Sequence, residues 1–109
     1  MSHVTTDALT SYGHPGRVRA DIAPAKSVIR LEGEIDLSMS EDLEQLVLTL
    51  PGVTCSLVLD ASKVTFCDAT LTGFIAAIAN RMPITVTPAN PRVVELLRLV
   101  GLDYFVPDA

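Results

Sequence analysis

Basic residues are scarce. Eight Lys and Arg stand against thirteen Asp and Glu, for a formal charge of -5, and the eight form no cluster. That balance opposes contact with a phosphate backbone, so no nucleic acid is expected as a partner. Long apolar runs are also missing. The longest weakly polar stretch, Leu71 to Ala79, falls far short of the roughly 20 residues that span a bilayer, and "MSHVTTDALTSYGHPG" holds no apolar signal core. No membrane insertion and a cytoplasmic location are the resulting expectations. Cysteine is limited to Cys55 and Cys67, twelve positions apart with no CxxC, which gives no zinc set and suggests two buried, reduced thiols. The two histidines, His3 and His14, lie in the leading polar stretch, and no Gly-rich phosphate cradle is present. No metal, no cofactor and no catalysis of the chain's own are expected.

What is abundant is apolar side chain, 49% of 109 residues, enough for one domain with its own core. Residues 1–16 are rich in Ser, Thr, Gly and His without period and read as a flexible N-terminal tail, with the domain running over 17–109. "RVRADIAP" and "SVIRLEGEI" alternate as two strands of a hairpin around Ala25 and Lys26. In "SMSEDLEQLVLTLPG", Ser38 and Glu41 have capping-box spacing, and Leu43, Leu46, Val47 and Leu50 repeat at helical intervals until Pro51-Gly52. "SLVLD" has the continuous apolar centre of a strand covered on both faces, and "PITVTP" repeats the strand signal. Leu71, Phe74, Ile75, Ile78 and Met82 form another helical stripe. A last helix starts at Asn90 and Pro91, carries Val93, Leu96, Leu97 and Val100, and stops at Gly101. Helices are expected near 39–50, 70–81 and 91–100. The order β-β-α-β-α-β-α makes an α/β fold, a mixed sheet of parallel strands after the first hairpin, with right-handed crossovers.

Functional residues of such sheets gather beyond the carboxyl ends of the parallel strands. Those ends are "GEID" and the segment from Asp60 through "FCDAT", which puts Asp36, Asp68 and Thr70 on one rim if their strands are neighbours. Asp60 resembles the phosphorylated aspartate of a receiver domain only in ending a strand. The lysine of that site and the length of such a domain are missing, so it reads as a turn residue, followed by a polar loop "ASKVTF" with Ser62, Lys63 and Thr65. The acids have no His beside them to serve as a base. Asp68 can cap a helix beginning at Ala69 or Thr70, which by itself explains both residues. The helix's outer side says more: Thr70, Gly73 and Ala77, joined by Ala76 and Asn80, make a small, uncharged face where solvent exposure favours Lys or Glu. Either a partner or the domain's own chain covers it.

Three segments, "VIRLEGEIDLSMSEDL", "LVLDASKVTFCDATLTGF" and "TPANPRVVELLRLVGLDYFVP", resemble in order and spacing the STAS domain, and within it the bacterial anti-sigma factor antagonists. The resemblance runs from about Arg17 to Pro107 and implies a single STAS-type domain, a mixed four- to five-stranded sheet with packed helices and a terminal strand. It also implies a phosphorylation site at Thr70, switched by a kinase-like anti-sigma factor and reversed by a phosphatase, with Asp36 and Asp68 supporting binding or phosphorylation beside Gly73 and Ala77. Ala69, Leu71 and Thr72 depart from the family's pattern, whereas Gly73 keeps it. Two functions are consistent with the resemblance: an antagonist that releases a sigma factor, or a non-switched adaptor such as a stressosome-like scaffold or the accessory subunit of a lipid ABC transporter.

Overall fold

The computed structural model describes residues 4–6 and 16–102. Strands β1 (Val4–Thr6), β2 (Arg17–Ile22), β3 (Ser27–Ile35), β4 (Leu57–Cys67) and β5 (Ile84–Ala89) form one sheet in that order. The first two pairings are antiparallel, and β3–β4 and β4–β5 are parallel. Helices α1 (Ser40–Thr49), α2 (Ala69–Ala79) and α3 (Pro91–Leu99) follow β3, β4 and β5. The mixed sheet, the hairpin and the three helices match the expected α/β layer fold. Residues 4–6, expected within a flexible tail, instead pair with β2 as an edge strand. The terminal strand implied by "YFVP" lies outside the described residues. No helix among the described residues is long and apolar enough to cross a membrane.

Alternation decides which face of the sheet is covered. Val18 and Ala20, Ile29 and Leu31, Leu57 and Leu59, Ile84 and Val86 are all buried, and strand register places them side by side. Leu43 and Leu46 of α1, Leu71, Ile75 and Ile78 of α2, and Val93 and Leu97 of α3 join the same core. The opposite face carries Arg19, Arg30 and Asp60 in register across three strands. Val58, in the middle of "SLVLD", is therefore only half-buried, and the expectation of a strand covered on both faces is corrected. Hydrophobicity alone does not separate a fully enclosed strand from one with a single valine on a polar face.

Two further corrections concern β4. It does not stop at Asp60 but runs on through "ASKVTF", so the expected loop is strand and Val64 is buried in it. Asp60 lies beside an irregularity rather than at a strand end, where its Oδ1 accepts the Ser62 N–H at 3.0 Å. Between Ser27↔Leu57 and Ile35↔Cys67 the numbering offset grows from 30 to 32, because β4 takes one extra residue at each of two register shifts. Gly33, at φ 80°, sits at the second shift, in a conformation open to glycine. These shifts bring Asp36 level with Asp68 at the rim.

Helix boundaries show why the chain turns where it does. Asn90 Oδ1 accepts the Arg92 N–H at 2.8 Å, Pro91 occupies the first turn, and Asn90 Nδ2 donates to the Val64 carbonyl at 3.0 Å, tying α3 to β4. Gly101, at φ 79°, ends α3. The Ser38–Glu41 capping box is not formed. A short 3-10 turn, Leu37–Met39, intervenes before α1, and Asp36 caps that turn instead. Met39, which precedes α1, is fully buried and fixes the approach of the helix to the core.

Candidate functional site

Asp36 and Asp68 end neighbouring parallel strands. Ile35 and Cys67 are paired in register, and the Asp68 N–H reaches the Ile35 carbonyl at 3.4 Å. Both aspartates hold extended backbone and turn a carboxylate back on the chain that follows. Asp36 Oδ1 accepts from the Ser38 amide at 3.0 Å and the Ser38 hydroxyl at 2.6 Å, and Asp68 Oδ1 accepts from the Thr70 amide at 2.8 Å. Each satisfies a donor that helix geometry leaves without an internal partner. Exposed apolar side chains flank this rim: Leu37 follows Asp36, and Phe66 precedes Cys67. Sequence reasoning passed over both, since neither belongs to a periodic stripe.

The hydroxyls of Thr70 and Thr72 have different fates. Thr72 is buried, and its Oγ1 donates to the Ala69 carbonyl at 3.1 Å within the first turn of α2. Thr70 is half-buried, and among the described residues its hydroxyl has no hydrogen-bond partner. Leu71, between them, is fully enclosed in the core. Its side chain therefore lies inside and not on the surface beside Thr70.

Thr70 stands at one end of a groove of about 410 Å³ between α1 and α2. Buried Leu43 and Phe74 form its floor. The α2 wall is Thr70, Gly73 and Ala77, one turn apart, and the α1 wall is Ser40, Glu44 and Leu48. A Cβ added to Gly73 would meet nothing within 4 Å, so the described chain leaves this small face uncovered. Of the residues expected to act together, Thr70, Gly73 and Ala77 share the groove, while Asp36 and Asp68 cap the elements at its rim end. The α1 wall was not legible in advance, because the stripe that buries Leu43 and Leu46 says nothing about which helix lies alongside. Leu48, 69% exposed, was the available signal: a leucine off the buried stripe of an amphipathic helix.

The thiols correct another expectation. Both are free, but Cys55 is exposed and Cys67 is only part-buried. Burial, reinforced by the adjacent Asp68 charge, pushes the Cys67 thiol above its ordinary value of 9.0. Asp60, Ser62 and Lys63 line a separate hollow of about 200 Å³ with Arg19, Arg30 and Glu32, away from Thr70. Among the described residues no three or more His, Cys, Asp and Glu are grouped so as to hold a metal ion.

A family model described as Mlab, STAS domain matches residues 18–107. No curated protein matches the sequence significantly. Among solved structures the chain is similar to the anti-sigma factor antagonist SpoIIAA in its unphosphorylated form, at 18% identity and TM-score 0.76, over 84% of this chain and 87% of that one. An anti-sigma factor antagonist from Mycobacterium paratuberculosis is similar at 23% identity and TM-score 0.64, over 84% and 83% of the two chains. The Bacillus cell fate determinant SpoIIAA in its phosphorylated form is similar at 16% identity and TM-score 0.58, over 99% and 91%. At these identities the likeness is one of fold.

Proposed function

The chain belongs to the STAS-domain family whose model it matches, and we propose that it is an anti-sigma factor antagonist switched by phosphorylation of Thr70. In this reading the unmodified protein captures a kinase-like anti-sigma factor, which then releases its sigma factor. The single observation that carries the proposal is the Thr70 hydroxyl, unpartnered among the described residues, at the end of an open groove walled by Gly73 and Ala77. The similar folds of SpoIIAA in unphosphorylated and phosphorylated forms support it.

The chemistry comes from the partner. The γ-phosphoryl group of its ATP passes to Thr70 Oγ1, the hydroxyl proton leaves, and ADP departs; a phosphatase restores the hydroxyl. The phosphate adds roughly -1.5 to -2 charges at the start of α2, where the helix N-terminus favours an anion by about 0.3 to 1 kcal/mol, so the fold tolerates it. Docking does not, because a hydrated dianion now stands where a small neutral hydroxyl met the partner, with Asp36 and Asp68 nearby. Asp68 holds the Thr70 amide and so sets where the hydroxyl is presented.

Binding to the purified anti-sigma factor, measured by calorimetry, tests this reading. Thr70→Ala should bind as the wild type does, since the small neutral surface is kept. Thr70→Glu should bind at least several-fold more weakly, although its single charge makes the mimic partial. Equal binding by all three would reject the switch and support a non-switched adaptor, the scaffold or lipid-transporter role.

A further inference from the structure

Helix α2 contains a glycine that its own fold does not require. Gly73 lies in mid-helix, where glycine is about 1 kcal/mol less favourable than alanine, and a Cβ there would meet nothing within 4 Å. Closeness to the rest of the described chain therefore does not account for it, whereas close approach by a docked partner would. The surroundings of Gly73 restrict what that is. Glu44 lines the groove on the α1 side, and α1 carries two further acids, Glu41 and Asp42. Neither α1 nor α2 contains a Lys or Arg. With Asp36 and Asp68 at the rim, every charged residue of the two walls and the rim is acidic.

The groove also has direction. Strands β3 and β4 are parallel and each is followed by its helix, so α1 and α2 run the same way. One end holds the Ser40 and Thr70 hydroxyls, the middle holds Glu44 and Gly73, and the far end holds Leu48 and Ala77. We infer that the groove receives an amphipathic helix of the partner carrying a Lys or Arg that pairs with Glu44 over Gly73 and a bulky aliphatic residue that packs on Leu48 and Ala77. This deepens the antagonist reading and rests on it for the partner's identity, but the recognition chemistry is a property of the groove itself. A helix laid in an apolar groove presents anchors one and two turns apart, which is the spacing of both walls. The acidic border selects a basic helix over an acidic one. A phosphate on Thr70 enters one turn from the Glu44 pair, where its bulk and hydration oppose close packing even against a basic partner.

The test uses the full chain, labelled with 15N, and two synthetic amphipathic helical peptides with the same leucines, one flanked by lysines and one by glutamates. The lysine peptide should shift the amides of Glu44, Gly73 and Ala77 and bind at least tenfold more tightly than the glutamate peptide. Glu44→Gln should lower that preference several-fold. Glu95→Gln, which removes the same charge from α3, should leave it unchanged. Gly73→Ala should weaken the lysine peptide while preserving the fold's spectrum. Equal affinity for both peptides, shifts centred on another face, or equal effects of Glu44→Gln and Glu95→Gln would overturn the inference. These results are independent of any kinase, so failure here leaves the Thr70 switch standing, and failure of the switch leaves the groove's selectivity standing.

Discussion

Asp36 and Asp68 are the same device placed on adjacent strands: each follows one member of the register pair Ile35↔Cys67, and each accepts, through Oδ1, the amide two residues on. Removing one of these acceptors leaves a first-turn N–H without its partner. Asp68→Ala should therefore destabilise the domain by about 1 kcal/mol, within a range of roughly 0.5 to 2, and Asp68→Asn by much less, since the amide oxygen still caps. Urea denaturation of the three proteins checks the order. An Asn variant as damaging as Ala would mean that charge, and not the hydrogen bond, is what matters at this position.

Gly73 separates stability from binding. Gly73→Ala should stabilise α2 by about 0.5 to 1 kcal/mol, because the helix loses less backbone entropy on folding and the added methyl meets open space. The same methyl occupies the groove and should weaken binding of the proposed anti-sigma factor about tenfold. A melting curve and a titration on one sample read both. Loss of stability would show that the methyl is not accommodated.

The cysteines should be independent. With both thiols free, the melting temperature should be the same with and without reductant. Exposed Cys55 should react with a maleimide well before Cys67 near pH 8, because the Cys67 thiol is part-buried and its ionisation is pushed up by burial and by Asp68. Since the folded pKa of Cys67 is raised, the native state holds its proton where the unfolded chain has begun to lose it. Its contribution to stability is thus complete below about pH 9 and is lost as pH rises through the folded value. Cys67→Ala should flatten that part of the stability profile. Equal rates of labelling at the two thiols would contradict this placement.

Much of the fold was legible because local signals agreed. Asn90, Pro91 and Gly101 bound α3 as their chemistry dictates, and the alternation of Val18, Ala20, Ile29 and Leu31 is one buried face. Where prediction failed, the deciding interaction was non-local. "ASKVTF" reads as a polar loop, but pairing with β3 through two register shifts holds it as strand. The Ser38–Glu41 spacing fits a capping box, but Asp36, fixed by the end of β3, captures Ser38 first. The site shows the same division. The small face of Thr70, Gly73 and Ala77 follows from helical spacing, whereas Ser40, Glu44 and Leu48 face it only because β3 and β4 are neighbours. Cys55, exposed although next to the buried β-branched Thr54, shows that neighbours in sequence do not set burial outside regular structure.

The most direct test of the account is the location of the phosphate. Two threonines lie two positions apart in the first turn of α2: Thr70 has a half-buried hydroxyl without a partner among the described residues, and Thr72 has a buried hydroxyl bonded to the Ala69 carbonyl. The purified protein, incubated with the kinase-like anti-sigma factor proposed as its partner and ATP, should yield by fragmentation mass spectrometry a single phosphate on Thr70. Thr70→Ala should yield none, while Thr72→Val is still modified. Phosphate on Thr72 alone, or none on a wild-type protein that binds the kinase tightly, would contradict the account.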